Sequence, residues 1–193
     1  MSRPLVWSST DVGKFIGLCD DKLTTKYRGN KKWDQMSLIR TNKPISTSLS
    51  FYYFEIYISN SGKNGYIAIG LTTQVRNNRS GDDEHNSMPG FIPGSIGYFG
   101  DNGGIYRDSR KNNISLTDTY KTGDTIGCYV DIKHECCSFA INGKWLQIID
   151  LNLGCNDDIF PTVGLNSPGA IITANFGQNT YTLNPAGKLC YFI

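Results

Sequence analysis

The sequence predicts an all-β protein, an antiparallel sandwich of two sheets with little helix. Three observations carry that prediction. About ten short apolar or alternating stretches are separated by turns rich in Gly, Asn and Pro. No stretch of about ten residues or more shows convincing 3.6-residue periodicity, and 11–18 is the only modest candidate for a helical turn. Residues 123–148, finally, read as a three-stranded meander. There Ile126, Cys128, Val130 and Ile132 alternate with Thr125, Gly127, Tyr129 and Asp131, the pattern of a strand with one buried face. Lys133-His134-Glu135 turns the chain, and Cys137, Phe139 and Ile141 resume the inward alternation. Asn142-Gly143 tolerates the positive φ of a type I′ hairpin, and 144–148 returns. One face of this meander is too apolar to stand uncovered, so a second layer must pack on it.

The remaining elements follow in order. Leu5-Val6-Trp7 is a candidate first strand, and Phe15-Ile16-Gly17-Leu18 a compact apolar patch. Residues 22–27 alternate and end at the Arg28-Gly29-Asn30 turn. Ser37–Arg40 is a weaker strand, closed by Pro44, which cannot donate to a ladder. Residues 51–58 are aromatic and β-branched throughout, as in a central strand. Asn60–Gly65 turns the chain and 66–71 returns it. A long polar loop, 73–94, follows, of a length that is usually functional or disordered. Residues 96–100 and 104–106 form a hairpin about Asp101-Asn102-Gly103. Residues 160–165 and 170–177 are further strands, joined by Asn166-Ser167-Pro168-Gly169.

Composition narrows the function. A chain of 193 residues buries roughly 70% of its unfolded surface and needs no metal or disulfide staple. Nineteen basic against 17 acidic residues argue against a nucleic-acid surface built on bulk charge. No apolar run approaches the ~18 residues of a membrane span, and the first residues lack a secretory apolar core. The six cysteines contain no C-x-x-C pair, and with two histidines zinc is not expected. The cysteines read as free thiols of a reducing compartment. The expected location is therefore the cytoplasm, with the nucleus also open; a secreted protein whose signal had been removed would look the same.

The ordered blocks FYYFEI (51–56), GYIAIGL (65–71), GYFGDNG (97–103), GDTIGC (123–128), FAING (139–143), FPTVGL (160–165) and ANFG (174–177) resemble the SPRY (B30.2-type) domain. The series is most similar to the SPRY domain of the RanBPM family, scaffold subunits of the GID/CTLH ubiquitin ligase. The resemblance implies one SPRY domain over 1–193, with a core at about 15–177 and short extensions. It also implies a bent sandwich that binds a protein or short linear peptide through loops at one rim, without catalysis, cofactor or small-molecule substrate. Carried over by position, the rim segments are Arg40-Thr41-Asn42 with Pro44, then Leu71-Thr72-Thr73, Met88-Pro89-Gly90-Phe91 and Asn166-Ser167-Pro168, with Tyr98 and Asp101 behind the third. Where the family has tryptophan and an acid after Pro-Gly, this chain has Phe91-Ile92-Pro93, which implies a different partner preference. RanBPM proteins continue into LisH and CTLH helices, and nothing after Phe176 resembles them. SPRY effectors secreted by plant-parasitic nematodes share much of the pattern.

Residue sets that resemble catalytic or metal sites fit their surroundings better as ordinary turns and core. Asp131, His134 and Cys137 offer a superficial Cys-His-Asp set, but a hairpin turn puts the imidazole outside and Cys137 inside. Asp82-Asp83-Glu84-His85 lacks calcium-loop spacing and reads as a solvated acidic tip. Gly100–Gly104 joins two strands, whereas phosphate loops open onto a helix. Asn78-Arg79-Ser80 and Asn113-Ile114-Ser115 fit the glycosylation pattern, which matters only in a secreted chain. For Phe91 two readings stand, an interface anchor on a polar loop or a side chain folded back onto the sandwich; the resemblance favours the anchor. The expectation is a recognition module in which Arg40 bonds partner carbonyls or a carboxylate. Phe91 and Leu71 would give apolar contact, while Thr72, Asn166 and Ser167 pair with partner backbone.

Overall fold

The computed structural model describes residues 4–30, 35–73, 84–108, 112–115, 118–151 and 158–182. In chain order the strands are β1 (Trp7–Val12), β2 (Ile16–Leu18), β3 (Thr24–Tyr27), β4 (Ser37–Thr41), β5 (Phe51–Asn60), β6 (Ile67–Thr73) and β7 (Ser95–Phe99). They continue with β8 (Gly104–Arg107), β9 (Asn112–Ser115), β10 (Thr125–Asp131), β11 (Cys136–Ile141), β12 (Lys144–Asp150), β13 (Ile159–Leu165) and β14 (Ile171–Asn175). Two seven-stranded sheets result, ordered β1-β4-β13-β6-β7-β8-β9 and β12-β11-β10-β5-β14-β3-β2, and every paired neighbour is antiparallel.

The meander forms as its pattern requires. Ile126 pairs with Ile141 and Val130 with Cys137, and Asn142 (φ 49°) and Gly143 (φ 85°) make the turn. Between Ser138 and Ala140 the β11–β12 register slips. The Ser138 hydroxyl lies 3.1 Å from the carbonyls of both Leu146 and Gln147, so this bulge blunts an edge strand. Ile56, Ile58, Ile67, Ile69, Leu71, Tyr98, Val130, Phe139 and Val163 meet between the sheets in one core.

Four expectations change. The first strand begins at Trp7 rather than Leu5, and 11–18 holds the end of β1 and all of β2 instead of a helical turn. β5 and β6 lie in different sheets, so 61–66 is a crossover rather than a turn that returns the strand beside its neighbour; β13 and β14 also lie in different sheets, and 166–170 is a second crossover. β9 was hidden, because NNIS has no apolar alternation to mark it.

Each outer face carries a strap. Residues 84–92 cross the outside of the first sheet, where a Cβ at Gly97 would sit 2.1 Å from the Pro89 carbonyl oxygen and one at Gly164 2.7 Å from Met88 Sδ. Only glycine leaves room for backbone at this range. On the second sheet, 177–182 folds back: the Tyr181 hydroxyl donates to the Tyr53 carbonyl (3.0 Å) and the Thr182 amide to the buried Glu55 carboxylate (2.9 Å).

A candidate partner-binding rim

The ladder registers decide which predicted residues can meet. Ile159 pairs with Thr73 and Leu165 with Ile67, so opposite ends of this strand pair are ~20 Å apart at about 3.3 Å per residue. Arg40 pairs with Thr162, placing Thr41, Asn42, Pro44 and Thr73 toward one end. Asn166, Ser167 and Pro168 leave the opposite end, where Asp101 also lies beside Gly65. Met88, Pro89, Gly90 and Phe91 belong to the strap on the outer face. The predicted set therefore does not share one rim.

Burial corrects several assigned roles. Leu71, Thr72, Tyr98, Met88 and Ser167 are each 0% exposed. Inward alternation sends Leu71 and Tyr98 into the core, the Tyr98 hydroxyl donating to the Asp118 carbonyl (2.7 Å). Arg40 is buried and acts as an internal tie. Its Nε donates to Thr72 Oγ1 (2.8 Å), which lies 2.8 Å from Thr162 Oγ1, and its Nη1 donates to Asp11 Oδ1 (3.2 Å). His85 Nε2 meets the same Asp11 oxygen at 2.6 Å, joining the strap to β1. Burial alone would raise the Asp11 carboxyl, but the His85 hydrogen bond and the Arg40 charge outweigh it and hold the group below its ordinary value. Phe91 stacks on Phe99 (centroids 4.9 Å apart) and meets Tyr106 edge-on; it is the folded-back reading that the structure contains.

Of the predicted residues, Asn42 stays exposed and Pro44 half-exposed at the first end, while a cluster of loop tips is accessible at the other. Ser167 Oγ donates to the Ser61 carbonyl (2.7 Å) and accepts from the Asn64 amide (3.2 Å). The Lys63 amide donates to the Pro168 carbonyl, and the Asn166 amide to that of Tyr66. Tyr27 donates to Asn166 Oδ1 (2.9 Å). Gly62, at φ 72°, lets the chain pass Ser167, where a Cβ would sit 2.5 Å from its hydroxyl oxygen. The two crossovers thus brace each other, with Lys63, Asn64, Asp101 and Asn102 exposed and Pro168 half-exposed. Lys63, Asn64 and Asn102 escaped sequence reasoning because Asn60–Gly65 looked like a plain hairpin; the Asn-Gly pairs at 64–65 and 102–103 were the available signal.

The enzyme-like set does not assemble. His134 Nδ1 lies 2.9 Å from Asp131 Oδ2, with its side chain 53% exposed, while Cys137 is 1% exposed within the core. Burial raises the Cys128 thiol well above its ordinary value, which makes it inert. Asp82, Asp83, Asn78, Cys155 and Cys190 lie outside the described residues.

A two-sheet antiparallel sandwich with braced rim loops defines an interaction domain of the SPRY type, and sequence comparison agrees. Residues 51–179 match the SPRY domain, and the chain belongs to that family. It is 38% identical over 183 residues to the Drosophila melanogaster Ran-binding proteins 9/10 homolog, covering 92% of this chain and 18% of that protein. To human Ran-binding protein 9 it is 35% identical over 182 residues, covering 94% of this chain and 24% of the relative. The chain thus spans less than a third of either. A crystal structure of a human SPRY domain superposes with a TM-score of 0.68 at 26% identity, covering 86% of this chain and 98% of that one.

Proposed function

We propose that the chain is a non-catalytic recognition module that holds an extended segment or loop of another protein against the rim of Lys63, Asn64, Asp101, Asn102 and Pro168. One observation carries this reading: the exposed tips stand on bases locked by Ser167 and Asn166. A rim ordered in advance loses little entropy on binding. Its carbonyls, amides and two opposite charges suit partner backbone and side chains. Similarity to the Ran-binding proteins supports a place in a RanBPM-like scaffold or ubiquitin-ligase adaptor, and free thiols at Cys19, Cys128, Cys136 and Cys137 support a cytoplasmic or nuclear setting.

A photo-crosslinking residue placed at Asn102 or Lys63, with Ile148 as an exposed control on another face, tests the rim in extracts of the source cells. Ran joins the candidate partners because the relatives are named for binding it. Discrete polypeptide adducts from the two rim positions and none from Ile148 are expected. Adducts from Ile148 alone would move the interface to the second sheet.

A further inference from the structure

Three Asn-Gly pairs lie in turns with the asparagine exposed, at 64–65, 102–103 and 142–143. Such a pair can react with itself. The glycine nitrogen attacks the asparagine Cγ, a C–N bond closes a succinimide ring, and the side-chain nitrogen leaves as ammonia with the proton that the glycine amide gives up. Water then opens the ring at one of its two carbonyls, giving aspartate or isoaspartate, in which the backbone runs through the former side chain. Glycine favours the attack because no Cβ screens its nitrogen. The rate then depends on whether the fold leaves the two reacting groups able to meet.

Two of the pairs are held back. Asn142 Oδ1 accepts from the Thr125 amide (2.9 Å) and its Nδ2 donates to Asp124 Oδ1 (2.8 Å), so its side chain is tied to β10 and the turn before it. Asn102 Nδ2 donates to the Tyr106 hydroxyl (3.0 Å), its Oδ1 accepts from the Gly104 amide (2.8 Å), and the Gly103 N–H donates to the Phe99 carbonyl (3.1 Å). Asn64 differs at both reacting groups. Among the described residues nothing accepts from its Nδ2 or from the Gly65 N–H, and its Oδ1 accepts only a longer bond from the Tyr66 amide (3.2 Å), which curls the side chain toward the Gly65 peptide. Gly65, at φ 66°, has open space beside it: a Cβ there would meet nothing nearer than the Asp101 Cα at 3.9 Å. The chain is meanwhile pinned on either side of the pair, by the Asn64 amide on Ser167 Oγ (3.2 Å) and the Asn166 amide on the Tyr66 carbonyl (2.9 Å).

We infer that Asn64–Gly65 is a modification site, at which the folded chain converts its own asparagine through a succinimide into isoaspartate and aspartate. The product places a carboxylate next to Lys63, and the isoaspartate form adds a carbon to the backbone between the Ser167 and Asn166 anchors. The effect on a bound partner rests on the rim proposed above: an added negative charge and a loosened base both weaken what that rim holds.

The test incubates the intact chain at mildly alkaline pH, folded and in denaturant, and follows each deamidated peptide by mass spectrometry. An isoaspartate methyltransferase with labelled S-adenosylmethionine counts the isoaspartate. In denaturant the three pairs should react at similar rates. In the folded chain Asn64 should keep most of its denatured rate while Asn102 and Asn142 slow by roughly tenfold or more, and Asn64→Ser should remove most of the methyl acceptor. Asn64 slowed as strongly as Asn142, Asn102 reacting first, or an unchanged methyl count in Asn64→Ser would each overturn the inference. Asn64→Asp should also lower the adduct yield of a crosslinker at Asn102 by roughly threefold, and an equal yield would overturn the effect on the partner. Absence of adducts from the wild-type chain counts against the rim alone and leaves the measured rates to decide the modification.

Discussion

The Arg40 guanidinium reaches Asp11 across the β1–β4 pair and Thr72 across the first sheet, and Asp11 in turn holds His85 of the strap. Removing it takes a charged partner from Asp11, which keeps only His85, and a charged donor from the buried Thr72 hydroxyl, which keeps only Thr162. Arg40→Ala should therefore cost about 2–3 kcal/mol in chemical denaturation, below the full value for a buried pair because Asp11 is 34% exposed. The sign of the acid response follows from the same contacts. Asp11 titrates below its ordinary value when folded, so its stabilisation is complete above that value and is lost as pH falls through the folded one. Asp11→Asn should flatten the loss of Tm below about pH 4 relative to wild type; an unchanged acid profile would count against the contact. None of this was legible in the sequence. Arg40 sits beside exposed-looking Thr41-Asn42, and an arginine on a short strand looks the same whether its head faces a partner or Asp11, 29 residues away.

Straps, more than hairpins, separate the observed elements from those expected. Residues 84–92 lie in a segment without period, and their course is dictated by the glycines beneath them. Gly97→Ala sets a methyl against the Pro89 carbonyl and should destabilise by about 1–3 kcal/mol. Amide exchange should then rise first at Gly90 and Phe91, whose N–H groups bond Ser95 Oγ and the Met88 carbonyl. The second strap predicts a similar scale. Tyr181→Ala loses an edge-on contact with Tyr53 (4.9 Å) and a hydroxyl bond, about 1–3 kcal/mol by denaturation. The meander and the central aromatic strand were legible because alternation reports burial directly. Connections were not, since a turn of Asn and Gly looks alike whether it returns the strand within its own sheet or carries it to the other.

At the scale of the molecule, two-sheet stacking was visible in the alternation and the family in the ordered blocks. The rim could not be assembled from positions alone, because adjacency at a sheet end depends on register; this separates Pro44 from Pro168 although each follows a strand of the same sheet. What the fold provides is a stiff core with braced tips at one end. The decisive measurement is calorimetric titration of a crosslinked and identified partner segment into wild type and into the Lys63→Glu/Asp101→Lys double variant, with Tm recorded for both. Loss of affinity by roughly tenfold or more at unchanged Tm is the predicted result, and equal affinity of the two proteins would contradict recognition at this rim.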